Sequence, residues 1–92
     1  MTENMDKFSR PGEVFVSEGD DNFVLLDYEN GFYYGLDELG KKIYTLLENR
    51  KSVSEIVEEL SVEYEVSKDI LKNDVTRFIE QLLKAKLIKA GS

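Results

Sequence analysis

The chain contains neither cysteine nor histidine. Without cysteine there is no disulfide framework and no thiolate nucleophile. Without histidine, the commonest metal ligand and general base is missing. Apolar runs are short as well. The longest uncharged stretch, Asn30 to Leu36, falls far below the roughly 20 residues of a membrane span. Met1 to Gly12 is polar and lacks the apolar centre of a secretion signal, so the cytoplasm is the expected compartment. Positive charge is scarce too: 12 Lys plus Arg stand against 19 Asp plus Glu, for a formal net charge of −7. Such a body repels phosphate backbones, because nucleic-acid binding depends on cations that release counterions.

What remains is the composition of one small globular domain: 92 residues, 41% hydrophobic and 11% aromatic. Residues 1–12 read as a flexible tail ending at Arg10-Pro11-Gly12, and residues 13–90 as the domain. Glu13 to Glu18 suits a short strand, and Gly19-Asp20-Asp21-Asn22 a turn. Phe23 to Tyr28 is a second strand and Phe32 to Leu36 a third, which short links order as an antiparallel meander. From Asp37 the period changes to that of a helix, with Leu39, Ile43, Leu46 and Leu47 on one face and an end near Asn49. Ser52 and Glu55 form a capping box for a second helix, whose apolar stripe is Val53, Ile56, Val57, Leu60 and Tyr64. Ser67 caps a third helix. Its inner seam is Leu71, Val75, Phe78 and Leu82, widened by Ile70, Ile79 and Leu83. The expected fold is α+β and winged-helix-turn-helix-like, a three-stranded antiparallel sheet followed by three helices.

The segment from Tyr28 to Leu36 carries the functional argument. Asn30-Gly31 between two aromatic-rich runs predicts a two-residue type I′ turn, pairing Glu29 with Phe32 and Tyr28 with Tyr33. Val24, Leu26, Tyr28 and Tyr33 then share one face, and Phe23, Leu25, Tyr34 and Leu36 the other. Both faces are apolar, where a sheet covered on one side alternates with polar residues. The third strand, Phe32-Tyr33-Tyr34-Gly35-Leu36, carries no charge or proline to guard a sheet edge against another chain. It is either covered, by the N-terminal tail or a dimer contact, or used to bind. In the binding reading an extended peptide adds as a strand, while alternate side chains enter pockets lined by the third helix.

Catalysis has little to rest on. The carboxylate runs Asp20-Asp21, Asp37-Glu38 and Glu58-Glu59 single out no positioned pair, no calcium-loop spacing is present, and no cofactor or metal is expected. A DNA-reading third helix has Lys, Asn, Thr and Arg, but Asp69 and Asp74 interrupt it.

The assembled pattern resembles the PqqD-like family, the stand-alone recognition elements of ribosomal peptide biosynthesis. The resemblance lies in Leu25-Leu26-Asp27, the run from Asn30 to Gly40, Ile43 to Leu47 and Ser52 to Val57. Further on it lies in Tyr64-Glu65-Val66 and in Asp74-Val75 ahead of Phe78 to Leu82. It implies a non-catalytic adaptor that binds the leader of a precursor peptide beside the third strand and third helix. The adaptor then presents that leader to a separate maturation enzyme, a leader protease or a radical enzyme. By position it implies a groove made of Phe32, Tyr33, Tyr34, Gly35 and Leu36 with Ile70, Asp74, Val75, Arg77 and Phe78. Many relatives carry Asn where this chain has Asp37, a departure that bears on the helix cap more than on the groove. A short acidic chain of this kind points within the resemblance to lasso-peptide biosynthesis, with chaperoning in a quinone-cofactor or radical-enzyme pathway as the alternative. A DNA-binding or dimerisation module is the reading from a different class.

Overall fold

In a computed structural model, residues 7–20 and 22–90 are described. Among the described residues, five strands and three helices follow one another as β1 (Phe8–Ser9), β2 (Val14–Glu18), β3 (Phe23–Asp27), β4 (Phe32–Leu36), α1 (Glu38–Glu48), α2 (Val53–Tyr64), α3 (Lys68–Lys84) and β5 (Lys89–Ala90). β2, β3 and β4 form the expected antiparallel meander, in that order, so that β4 is an edge strand.

Each helix starts where a side chain satisfies backbone donors that the first turn leaves free. The Asp37 carboxylate accepts from the Gly40 amide at 2.7 Å. Ser52 and Glu55 cap each other's backbones reciprocally, as their spacing predicts, and Ser67 accepts from the Ile70 amide. Asn49 closes α1, and Glu65, in the left-handed region at φ 54°, closes α2.

The helices cover one face of the sheet. Phe23 and Leu25 of β3 are buried there with Ile43, Tyr44 and Leu47 of α1, Ile56 and Leu60 of α2, and Leu71, Val75, Ile79 and Leu82 of α3. Burying each such side chain is worth about 1.5–3 kcal/mol. Tyr44, absent from the apolar stripe predicted for α1, is fully buried. Its hydroxyl donates to the Leu87 carbonyl at 3.1 Å, which satisfies its one polar atom, and burial pushes its pKa well above the usual tyrosine range. Tyr64, Ile70 and Leu83, expected on apolar faces, are instead exposed.

Two features differ from the sequence-based expectation. β3 and β4 pair as Asp27 with Phe32, Leu26 with Tyr33 and Leu25 with Tyr34, two residues out of the predicted register. The link is therefore the four-residue loop Tyr28 to Gly31, in which Gly31 alone takes a positive φ, 62°. Asp27 is the cause. Its carboxylate accepts from the Asn30 amide at 3.2 Å and from Asn30 Nδ2 at 2.8 Å, closing the loop two residues earlier. The Asn30 side chain, ahead of the backbone donors, holds the Asp27 pKa below its ordinary value. Because side chains alternate with a period of two, a slip of two leaves every residue on its predicted face.

The second difference is at the chain ends. Phe8 and Ser9, expected in a flexible tail, pair with Ala90 and Lys89 as a small antiparallel ladder. Phe8 is buried in the same core as Leu87 and Ile88, and its apolar surface gives the segment a reason to dock. Lys7 donates to the Arg50 carbonyl, and Arg10 pairs with Glu48 at 2.8 Å. This segment packs on α1 and β5, so the described part of the predicted tail does not cover the outer face of the sheet. Residues 1–6 of that tail lie outside the described residues.

Candidate functional site

Between the β4 edge and α3 runs a groove of about 480 Å³. Tyr34, Gly35 and Leu36 form one wall, and Asp74, Arg77, Phe78 and Gln81 the other. Leu39, Gly40 and Ile43, at the start of α1, line it from below together with Asp37. The walls follow from backbone periodicity. Tyr34 and Leu36 alternate with Tyr33 and Gly35 along β4, and so point toward α3. On α3, Ile70, Asp74, Arg77 and Gln81 succeed one another at steps of four, three and four, a single helical stripe.

Tyr34 ties the two walls together: its hydroxyl donates to Gln81 Oε1 at 3.2 Å. Gly40 allows the approach of α1 to α3. A Cβ there would stand 3.1 Å from Asp37 Oδ1 and 3.4 Å from Phe78 Cζ, so any side chain would rise into the groove. The lining is mixed: the apolar Leu36, Leu39 and Phe78 lie beside the carboxylates of Asp37 and Asp74 and the guanidinium of Arg77. Neither Asp74 nor Arg77 takes part in an ion pair among the described residues. At the Leu36 end the groove adjoins a smaller pocket bearing Asp20, Asp37 and Glu38. Lys41 in that pocket is engaged by Glu18 and lies 5.7 Å from the centre of the Phe23 ring.

Of the ten residues that the resemblance marks, Tyr34, Gly35, Leu36, Asp74, Arg77 and Phe78 line this groove. Ile70 is 56% exposed and continues the α3 stripe beyond the groove's end. Phe32 and Tyr33 are exposed on β4 but do not line the groove, since Tyr33 is on the opposite sheet face and Phe32 lies toward the loop. Val75 is fully buried in the core, facing the sheet rather than the groove. Sequence reading missed Asp37, Leu39, Gly40, Ile43 and Gln81. Gln81 was within reach as the next position of the Asp74–Arg77 stripe. Gly40 carries no pattern of its own, because its importance is the absence of a side chain.

No group of three or more Asp or Glu residues is placed to hold a metal ion among the described residues, and none of their helices is long and apolar enough to cross a membrane.

Two solved structures share this architecture. TbiB1 in complex with the TbiA(beta) leader peptide superposes with a TM-score of 0.82 at 33% sequence identity, over 88% of this chain and 94% of that one. Lasso peptide synthetase B1 complexed with the leader peptide superposes with a TM-score of 0.86 at 25% identity, over 90% and 98%. No curated protein matches the sequence. The family description for coenzyme PQQ synthesis protein D matches residues 22–88, from the start of β3 past the end of α3. With β3, β4, the three helices and the groove inside that span, the chain belongs to the PqqD family.

Proposed function

We propose that this protein captures the leader segment of a ribosomally made precursor peptide by strand addition at β4 and presents it to a separate processing enzyme. The observation that carries the reading is the uncharged β4 edge lying open beside a groove walled by α3. An edge strand offers a row of unpaired backbone donors and acceptors that an extended segment can match residue by residue. Backbone pairing reads no sequence. Discrimination then falls to alternate side chains of the peptide, about 6.6 Å apart, which enter the groove against Leu36, Leu39 and Phe78 and meet Asp74 and Arg77. β2, the other edge, is a poorer acceptor: it runs between Glu13 and Glu18.

Two further points support the reading. Both similar structures contain leader peptides, and one is named for lasso-peptide synthesis, the pathway this proposal favours. The chain also lacks the histidine and cysteine on which most protein acid–base and nucleophilic chemistry depends, which leaves the reaction to the partner.

Calorimetric titration with the synthetic leader of a precursor encoded beside the gene tests the proposal. The wild-type chain is expected to bind saturably, with little change between low and moderate salt. The variants Phe78→Ala and Arg77→Glu should each weaken binding at least about tenfold, or about 1.4 kcal/mol. Equal affinity in all three proteins would place the leader elsewhere. A steep loss with salt, together with retention of duplex DNA, would favour the DNA-binding alternative.

A further inference from the structure

The face of the sheet turned away from the helices contributes no side chain to the groove, yet it presents three exposed aromatic rings. Phe15 of β2, Leu26 of β3 and Tyr33 of β4 are register partners and form one row across the three strands. Phe15 is 48% exposed and Tyr33 71%, with Tyr28, 72% exposed, beside them just past β3. Val24 and Leu26 lie half-buried between the rings. The Phe15 and Tyr28 rings pack with centroids 5.0 Å apart at 53°, so part of this platform is already ordered. A contiguous apolar patch of this kind on a small domain marks an interaction surface.

Charge identifies the kind of occupant. From Glu13 to Leu36 the chain carries Glu13, Glu18, Asp20, Asp21, Asp27 and Glu29, and neither Lys nor Arg. Glu18 is engaged by Lys41 and Asp27 is buried at the end of β3, while Glu13 and Glu29 are exposed near the two ends of the patch. A second copy docked by two-fold symmetry would set this acidic rim against itself. An anionic lipid surface is repelled for the same reason. The complementary occupant is a protein surface with an apolar centre and a rim of Lys and Arg.

Position identifies its role. Tyr33 and Gly35 of the outer face alternate along β4 with Tyr34 and Leu36 of the groove, so one strand serves both surfaces. A leader paired to β4 becomes a fourth strand about 4.8 Å further out, and its outward side chains prolong the platform. We infer that the outer sheet face, centred on Phe15, Tyr28 and Tyr33, docks a basic-rimmed surface of the processing enzyme, which contacts platform and bound leader together. The inference rests on the leader-binding reading above. It requires that leader strengthens enzyme association, and by linkage that enzyme strengthens leader binding by the same factor.

The experiment uses the full chain, a synthetic leader and the purified leader protease encoded beside it. Two double variants are compared with wild type: Phe15→Ser with Tyr28→Ser, and Glu13→Lys with Glu29→Lys. All four positions are exposed, so both variants should fold, and leader affinity in the absence of protease should stay within about twofold. Protease association, measured by biolayer interferometry, should strengthen with leader for wild type and weaken at least about tenfold in both variants. Unaltered protease association with normal leader binding overturns this inference alone, as does a wild-type chain that binds leader but not protease. A wild-type dimer dispersed by Phe15→Ser with Tyr28→Ser in sedimentation would assign the platform to a second copy, overturning it too. A wild-type chain that binds no leader overturns both this inference and the reading beneath it.

Discussion

The Tyr34 hydroxyl donates to Gln81 Oε1 at 3.2 Å across 47 positions of sequence, and it fixes the spacing between the β4 edge and α3. A groove built from a strand edge and a helix is only as selective as that spacing is constant. The bond is exposed to solvent, so its net contribution to stability is about 0.5–1.5 kcal/mol. Tyr34→Phe and Gln81→Ala should each weaken leader binding by about three- to tenfold, the same energy read as affinity. The double variant should lose little more than either single one, since both remove one interaction. A titration series showing full additivity would mean that the two residues act independently.

Gly40 makes a second test, because its effects on fold and on groove separate. Alanine is the better helix former by about 1 kcal/mol. A Cβ only 3.1 Å from Asp37 Oδ1 offsets that gain. Gly40→Ala should therefore leave thermal stability within about 1 kcal/mol of wild type while lowering leader affinity, since the methyl group rises toward Phe78. Gly40→Leu should abolish binding. Undiminished affinity for Gly40→Leu would show that the groove floor is not in contact with peptide.

The loop at Asp27 predicts a dependence on pH. The Asn30 side chain lowers the Asp27 pKa below its ordinary 3.8, so the folded protein prefers the ionised carboxylate more than the unfolded chain does. That preference stabilises the protein above about pH 4 and is lost as the pH falls through the lowered value. Asn30→Ala should raise the Asp27 pKa, followed by carboxyl carbon shifts in an NMR titration, and should shrink the loss of stability on acidification. An unchanged titration curve would contradict the assignment of the Asn30 side chain as the main cause.

Tyr44→Phe tests the core. The substitution leaves the Leu87 carbonyl without its donor inside a buried cluster. It should cost about 1–3 kcal/mol in denaturant unfolding, with leader affinity unchanged because Tyr44 does not reach the groove. A loss below about 0.3 kcal/mol would imply that water takes the donor's place.

The contrast between these residues shows what sequence can and cannot carry. Strands, helices and caps were legible because each leaves a local signal, such as the alternation in β3 or Ser52 three residues before Glu55. Sheet faces were legible despite a wrong register, because a slip of two preserves parity. The register itself was not, since it was set by a side-chain contact from Asp27 to Asn30 that competes with the turn preference of Asn-Gly. Phe8 was read as tail because two residues show no periodicity, and only their partners at Lys89 and Ala90 make them a strand. Asp74, Arg77 and Phe78, which the resemblance marks, line the groove, whereas Val75, marked with them, lies in the core, where the inner seam of α3 already placed it. Asp37, Leu39, Gly40 and Ile43 line the site through the packing of α1 against α3, a tertiary fact with no local signature.

The central claim is that the leader adds as a strand at β4, and isotope-filtered NMR on a labelled chain with unlabelled leader tests it most directly. The account predicts backbone-to-backbone contacts between leader and the Tyr34 to Leu36 segment, new protection of edge amides there, and side-chain contacts along Asp74 to Gln81. Contacts confined to β2 or to the α3 side chains at saturating leader, with β4 amides unprotected, would contradict it.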